Sequence, residues 1–126
     1  MAKYDENDML EQAFARQRAF MDELVANDKL PTYPIDLSSK GGQRLIKEMV
    51  FNCIEELCEA SYTLKNRGHR ITDDRTVDLT HYREELGDAF AFFLEICIMS
   101  GMSPAELFDE YSRKNAVVLE RLQKGY

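Results

Sequence analysis

Proline and glycine are scarce. Three Pro and six Gly in 126 residues exclude long flexible linkers. Long apolar runs are missing too. The longest, from Ala89 to Met99, is interrupted by Glu95. It falls far short of the roughly 20 residues that a membrane-spanning helix needs. The opening stretch, MAKYDENDML, lacks a basic region ahead of an apolar core, so no signal peptide is expected. Positive charge is in deficit, with 16 Lys plus Arg against 23 Asp plus Glu and a formal net charge of −7. That balance argues against non-specific binding to nucleic acid, which needs basic surface. A small phosphate ligand remains compatible, provided that metal ions stand between the acids and the phosphates. The three cysteines, Cys53, Cys58 and Cys97, are odd in number and each falls in a helical pattern. They read as reduced core thiols of a cytosolic protein. No CxxC pair exists and neither His69 nor His81 has ligand spacing around it, so a zinc site is not expected.

What is present is a globular balance, 44% hydrophobic and 31% charged, in a chain the size of one domain over residues 1–126. Four helical patterns stand out and no convincing strand does. The first runs from about Asn7 to Ala26, with Leu10, Ala13, Phe14, Gln17, Met21, Leu24 and Val25 at helical spacing. A loop is expected over Asn27 to Gly42, because it holds Pro31, Pro34 and the pair Gly41-Gly42.

The second helix is expected from about Gln43 to Asn66, with Ile46, Met49, Val50, Cys53, Ile54 and Leu57 as its apolar stripe and Gly68 past its end. The third is expected from Thr80 to Ser100, stopped by Gly101. Its second half, AFAFFLEICIM, is apolar nearly all round, which calls for burial centrally or against another subunit. The fourth opens on Ser103 as N-cap, Pro104 at N1 and Glu106 at N3. Leu107, Phe108, Tyr111, Val118, Leu119 and Leu122 give its apolar face. Four helices with short connections predict an all-α, antiparallel four-helix bundle, and the third helix predicts a homodimer or homotetramer.

The chemistry concentrates in two acidic strings. Helix two carries Glu55, Glu56 and Glu59 in EELCE; helix three carries Glu84, Glu85 and Asp88 in EELGD. Residues three apart lie about 60° apart around a helix, so each string occupies one narrow arc beside an apolar stripe. If the two helices pack antiparallel, Glu56 and Glu59 can face Glu85 and Asp88, and the small residues Gly87 and Ala89 permit a close approach. Four converging carboxylates repel one another and need a counter-charge. A hard divalent cation with oxygen ligands fits, and Mg²⁺ keeps positions for water and substrate phosphates. That is the chemistry of phosphate-ester or anhydride hydrolysis. The alternative is a pair of ordinary solvated acidic faces.

Lys114 and Arg121, seven apart and hence about 20° apart on helix four, form with Asn115 either a phosphate-binding face or a solvated basic stripe near a helix C-terminus. Lys65, Asn66 and Arg67 read either as a plain helix end or as residues that reach a phosphate. Glu95 shares a face with Asp88 and is either a further metal-shell residue or a core acid paired elsewhere. His69 and His81 read as loop and helix-start residues without catalytic duty. A ferritin-like di-iron bundle is disfavoured because the Glu-x-x-His pairs of such sites are missing.

The paired strings EELCE and EELGD resemble the EExxE…ExxD signature of the all-α nucleoside triphosphate pyrophosphohydrolases, the superfamily of MazG proteins and dimeric dUTPases. The likeness runs from about Gln43 onward. GQRLIKEMVFNCIEELCEA, the LKN at 64–66, EELGDAFAFFLEICIMSGM and the tail YSRKNAVVLERLQKGY look most like the dimeric dUTPase branch and its phage relatives. The resemblance implies Glu56, Glu59, Glu85 and Asp88 as Mg²⁺ ligands, with Mn²⁺ as a substitute. It implies Glu55 and Glu84 as residues behind them or orienting water, Glu55 being counted with the catalytic set. Lys114, Asn115 and Arg121 would hold phosphates, and Gln17 would contact base or sugar.

Three positions depart from that branch: Ala91 stands where a histidine is usual, His69 lies nearest to where an aromatic is usual, and Val118 replaces a second asparagine. These departures touch base and sugar recognition and leave the metal and phosphate residues intact. The expected activity is hydrolysis of a deoxynucleoside triphosphate to the monophosphate and pyrophosphate, with dUTP the leading substrate and dGTP or dCTP the alternatives. The expected place is the cytoplasm, a host's if the source is viral. A non-catalytic helical binding or scaffold protein is the rival of another class.

Overall fold

A computed structural model describes residues 8–66, 68–69 and 76–125. Among these residues there are four helices and no strand: α1 (Met9–Ala26), α2 (Lys40–Tyr62), α3 (Leu79–Met99) and α4 (Pro104–Gln123). The fold is all-α, and among the described residues no single helix is long and apolar enough to cross a membrane. The described residues fall into two compact units, one of 8–35 with 97–125 and one of 36–96.

In the first unit, α1 and α4 pack against each other. Asp8 caps α1 by accepting the Glu11 N–H at 3.1 Å. The apolar pattern read from the sequence is the face that turns inward: Phe14 and Met21 are almost wholly enclosed, and Leu10, Ala13, Gln17, Leu24 and Val25 are half-buried. Cys97, Ile98 and Met99, the last turn of α3, complete this unit's core. The α3 C-terminus closes with the Met102 N–H on the Cys97 carbonyl and the Gly101 N–H on the Ile98 carbonyl, and Gly101 has φ of 83°. A Cβ there would also press on Pro34 at 3.3 Å, so both backbone twist and space call for glycine. The Ile35 N–H donates to the Met99 carbonyl and the Tyr33 hydroxyl to Asp22, which pins residues 27–35 within this unit.

The fourth helix starts as the sequence indicates, with Ser103 Oγ accepting the Glu106 N–H at 3.1 Å and Pro104 inside the first turn. Its apolar face is not covered. Leu107 is half-buried, but Phe108, Tyr111, Val118, Leu119 and Leu122 are each more than half exposed. The α1 contact serves only part of this long face, and nothing else in the unit covers the rest.

In the second unit, α2 begins three residues earlier than expected. Ser39 caps it through Oγ, which accepts the Gly42 N–H at 2.9 Å, so the two glycines lie in the first turn rather than in the loop. Gly42 is there because a Cβ would fall 2.1 Å from the Asp36 carbonyl oxygen. The helix also ends earlier, at Tyr62, where the Thr63 hydroxyl takes the Ala60 carbonyl. The expected α2 stripe divides in two. Met49 is buried and Ile46 and Cys53 are half-buried, whereas Val50 and Ile54, each about 100° on from Met49 and Cys53, are exposed, and so is Leu57, about 40° from Cys53. The packed face meets α3, where Cys53 Sγ donates to the Ala89 carbonyl at 3.3 Å. Ala89 is therefore the residue that allows close approach. Gly87 has open space around its missing Cβ. On α3, Ala89 and Leu94 are buried while Leu86, Phe90 and Phe93 stay exposed, so the apolar run is enclosed over part of its circumference only.

Candidate metal centre

The second unit brings three of the expected carboxylates together. Glu56 and Glu59 project from α2 one turn apart, and Glu85 comes from α3. One carboxylate oxygen from each lies within 4.8 Å of the others. Their environments differ. Glu85 is buried with 9% of its surface exposed, Glu56 is half-buried and Glu59 is exposed. Glu56 Oε2 and Glu85 Oε2 are both buried, and among the described residues no N–H or hydroxyl group reaches either one. A buried carboxylate oxygen without a donor is costly. Such a pair calls for a shared proton or a cation.

The titration behaviour says the same. Glu56 is pushed up to about 7, first by a hydrogen bond with Glu85, then by burial, then by repulsion from Glu59, Asp88 and Glu85. Glu59 is raised, chiefly through its hydrogen bond with Glu85. Glu85 is held down, first as the acceptor from Glu56, with Glu59 and His81 adding to the effect and burial opposing it. These directions are those of carboxyl groups close enough to share a proton. An all-oxygen donor set of this kind fits Mg²⁺ or Mn²⁺ better than a softer metal.

Asp88 lies one turn beyond Glu85 and outside the tight trio, but close enough for its charge to lift Glu56. Glu55 is exposed beside the cluster and contributes a small repulsion to Glu59. Glu84 is exposed on α3, outside the trio. Lys65 lines a cavity of about 300 Å³ with Glu59, Tyr62, Thr63, Thr76 and His81, beside the acidic trio. Gln17 is half-buried on α1 and belongs to the first unit, as do Lys114, Asn115 and Arg121, which are exposed on α4. Next to Lys114, Arg113 forks onto Glu110 at 3.1 and 2.7 Å. Glu95 is buried, outside the trio, and raised by burial. His69 is exposed.

His81 is the residue that sequence reasoning passed over. Its Nε2 lies 2.9 Å from Glu85 Oε1. The signal was available as i,i+4 spacing on one helix face, which brings such side chains together. Comparison with protein-family models, with curated proteins and with solved structures finds no match.

Proposed function

We propose that this chain is a Mg²⁺-dependent nucleoside triphosphate pyrophosphohydrolase, with Mn²⁺ able to substitute, that converts a deoxynucleoside triphosphate to the monophosphate and pyrophosphate. The observation that carries the reading is the pair of buried carboxylate oxygens, Glu56 Oε2 and Glu85 Oε2, that no N–H or hydroxyl among the described residues satisfies. The likeness of EELCE and EELGD to the pyrophosphohydrolase signature supports the same reading. Glu56, Glu59, Glu85 and Asp88 would hold the cation. When bound, Mg²⁺ supplies Lewis acidity toward phosphate oxygens and makes a neighbouring water a stronger acid.

The remaining work falls to the chain's own side chains. Glu55, exposed at the edge of the cluster, orients a water and accepts its proton. Lys65 presents its ammonium to the phosphates from the cavity wall. Lys114, Asn115 and Arg121 supply further phosphate contacts, and Lys114 and Arg121 offset the charge that builds on the phosphates in the transition state. Water oxygen joins one of the two phosphorus atoms flanking the α–β bridge, the bridging P–O bond breaks, and the proton passes to a carboxylate. Gln17 contacts base or sugar. dUTP is the leading substrate, with dGTP or dCTP as alternatives.

In this reading the helices form an antiparallel four-helix bundle that works as a homodimer or homotetramer in the cytoplasm. The exposed apolar side chains Phe51, Ile54, Leu86, Phe90 and Phe93 support a second copy.

The test is to incubate the protein with each dNTP and NTP, with and without Mg²⁺, and to separate the products. Metal-dependent monophosphate plus pyrophosphate is expected, abolished in Glu56→Gln and in Asp88→Asn with helix content unchanged. No release from any triphosphate would refute the enzyme and leave a helical binding or scaffold protein.

A further inference from the structure

We propose that His81 is a positioning residue that presents Glu85 to the metal through one oxygen only; the inference rests on the metal centre described above. Glu85 is the most enclosed member of the trio. Its Oε1 lies 2.9 Å from His81 Nε2, while its Oε2 is buried and no N–H or hydroxyl among the described residues reaches it. An ionised carboxylate only accepts, so the Nε2 atom must carry the hydrogen of that bond. The two oxygens of one side chain are therefore divided: Oε1 is held, and Oε2 is left for the cluster. A carboxylate tethered in this way does not rotate to offer both oxygens to a cation or to turn away from it.

The tether is anchored in turn. His81 occupies the first turn of α3, and its backbone N–H donates to Asp78 Oδ1 at 3.1 Å. The next amide, that of Tyr82, donates to the Asp78 carbonyl at 3.0 Å. The helix start therefore fixes His81, and His81 fixes Glu85 one turn further on. The imidazole is about half exposed and lines the cavity that Glu59 and Lys65 share. Removing it leaves the core intact, so its loss reads on the site and not on folding. Hydrogen-bond partners behind a metal ligand act by orienting it, and their loss typically costs about 10–100-fold in metal affinity.

The experiment measures Mn²⁺ affinity of the whole protein by the electron-paramagnetic-resonance signal of free Mn²⁺, with far-UV circular dichroism as the check on folding. His81→Ala is expected to weaken Mn²⁺ binding about 10-fold at unchanged helix content. His81→Gln keeps an N–H donor of similar reach and is expected to recover most of that loss. Wild-type affinity in His81→Ala overturns the inference, as does a loss in His81→Gln as large as that in His81→Ala. If the wild-type protein itself leaves Mn²⁺ free, the metal centre fails and the role of His81 falls with it, so the wild-type arm separates the two failures.

Discussion

Replacing Glu56 by glutamine should stabilise the metal-free protein at alkaline pH. The Glu56 carboxyl stands at about 7 in the folded chain against an ordinary value of 4.5. Below pH 4.5 the folded and unfolded states both bind the proton and nothing is lost. As pH rises from there to about 7, only the folded state keeps it, so stability falls; above about 7 the loss is complete. Unscreened, that difference amounts to about 3 kcal/mol. A half-buried side chain at the edge of solvent retains a fraction of it, about 1–1.5 kcal/mol. Glutamine carries no charge and can still donate to Glu85. For a chain of this length about 1 kcal/mol moves the melting temperature by about 4 °C. Melts in EDTA should therefore show Glu56→Gln roughly 4–6 °C above wild type at pH 8.5, with the gap closing toward pH 4.5. Adding Mg²⁺ should reverse the order, because only wild type has the full ligand set and binding to the folded state alone adds stability. A gap that does not change with pH, or a variant less stable than wild type in EDTA at pH 8.5, would refute the reading of the cluster as a proton-sharing trio.

Other outcomes follow from packing. Gly42→Ala should cost about 1–3 kcal/mol, since its Cβ would meet the Asp36 carbonyl oxygen at 2.1 Å. Gly87→Ala, with nothing near its Cβ in mid-helix, should gain up to about 1 kcal/mol; urea titrations of both variants check the contrast. Phe14→Ala removes one of the most enclosed side chains and should cost about 3–5 kcal/mol, read by the same titration. If two copies meet through the second unit's exposed apolar face, Phe90→Glu should shift the mass seen by light scattering to that of a monomer while preserving helix content, because Phe90 is already 47% exposed in the single chain.

Much of the fold was legible because it is written in local signals. The Ser103-Pro104-Glu106 start of α4 and the Gly101 stop of α3 concern a few adjacent backbone groups, and both stand where the sequence puts them. The inward face of α1 was equally plain, since one stripe serves one packed surface. The start of α2 was misread because Gly41-Gly42 looks like a loop on composition. Only the Asp36 carbonyl explains why a glycine opens this helix. The α2 stripe was read as single because Met49 and Val50 both look like core. Which of two adjacent apolar residues faces inward depends on the packed neighbour, and periodicity does not contain that. In the site, the convergence of Glu56, Glu59 and Glu85 was foreseeable from spacing, but the separation of Asp88 from the tight trio was not. The uneven burial of the trio also lay beyond spacing.

All three convergent carboxylates, the histidine that holds one of them and the lysine at the cavity edge lie between positions 36 and 96, in one uninterrupted stretch of chain. A recombination event with both crossovers outside that stretch carries the whole carboxylate cluster in a single exchange. The elements on either side can then diverge, or be replaced by other helices, without breaking the set. The segment between α2 and α3 is the exception. An insertion there separates the two acidic strings in the gene and must still let α3 return to the same face of α2, so changes of length at that point should be tolerated far less readily than changes at either end.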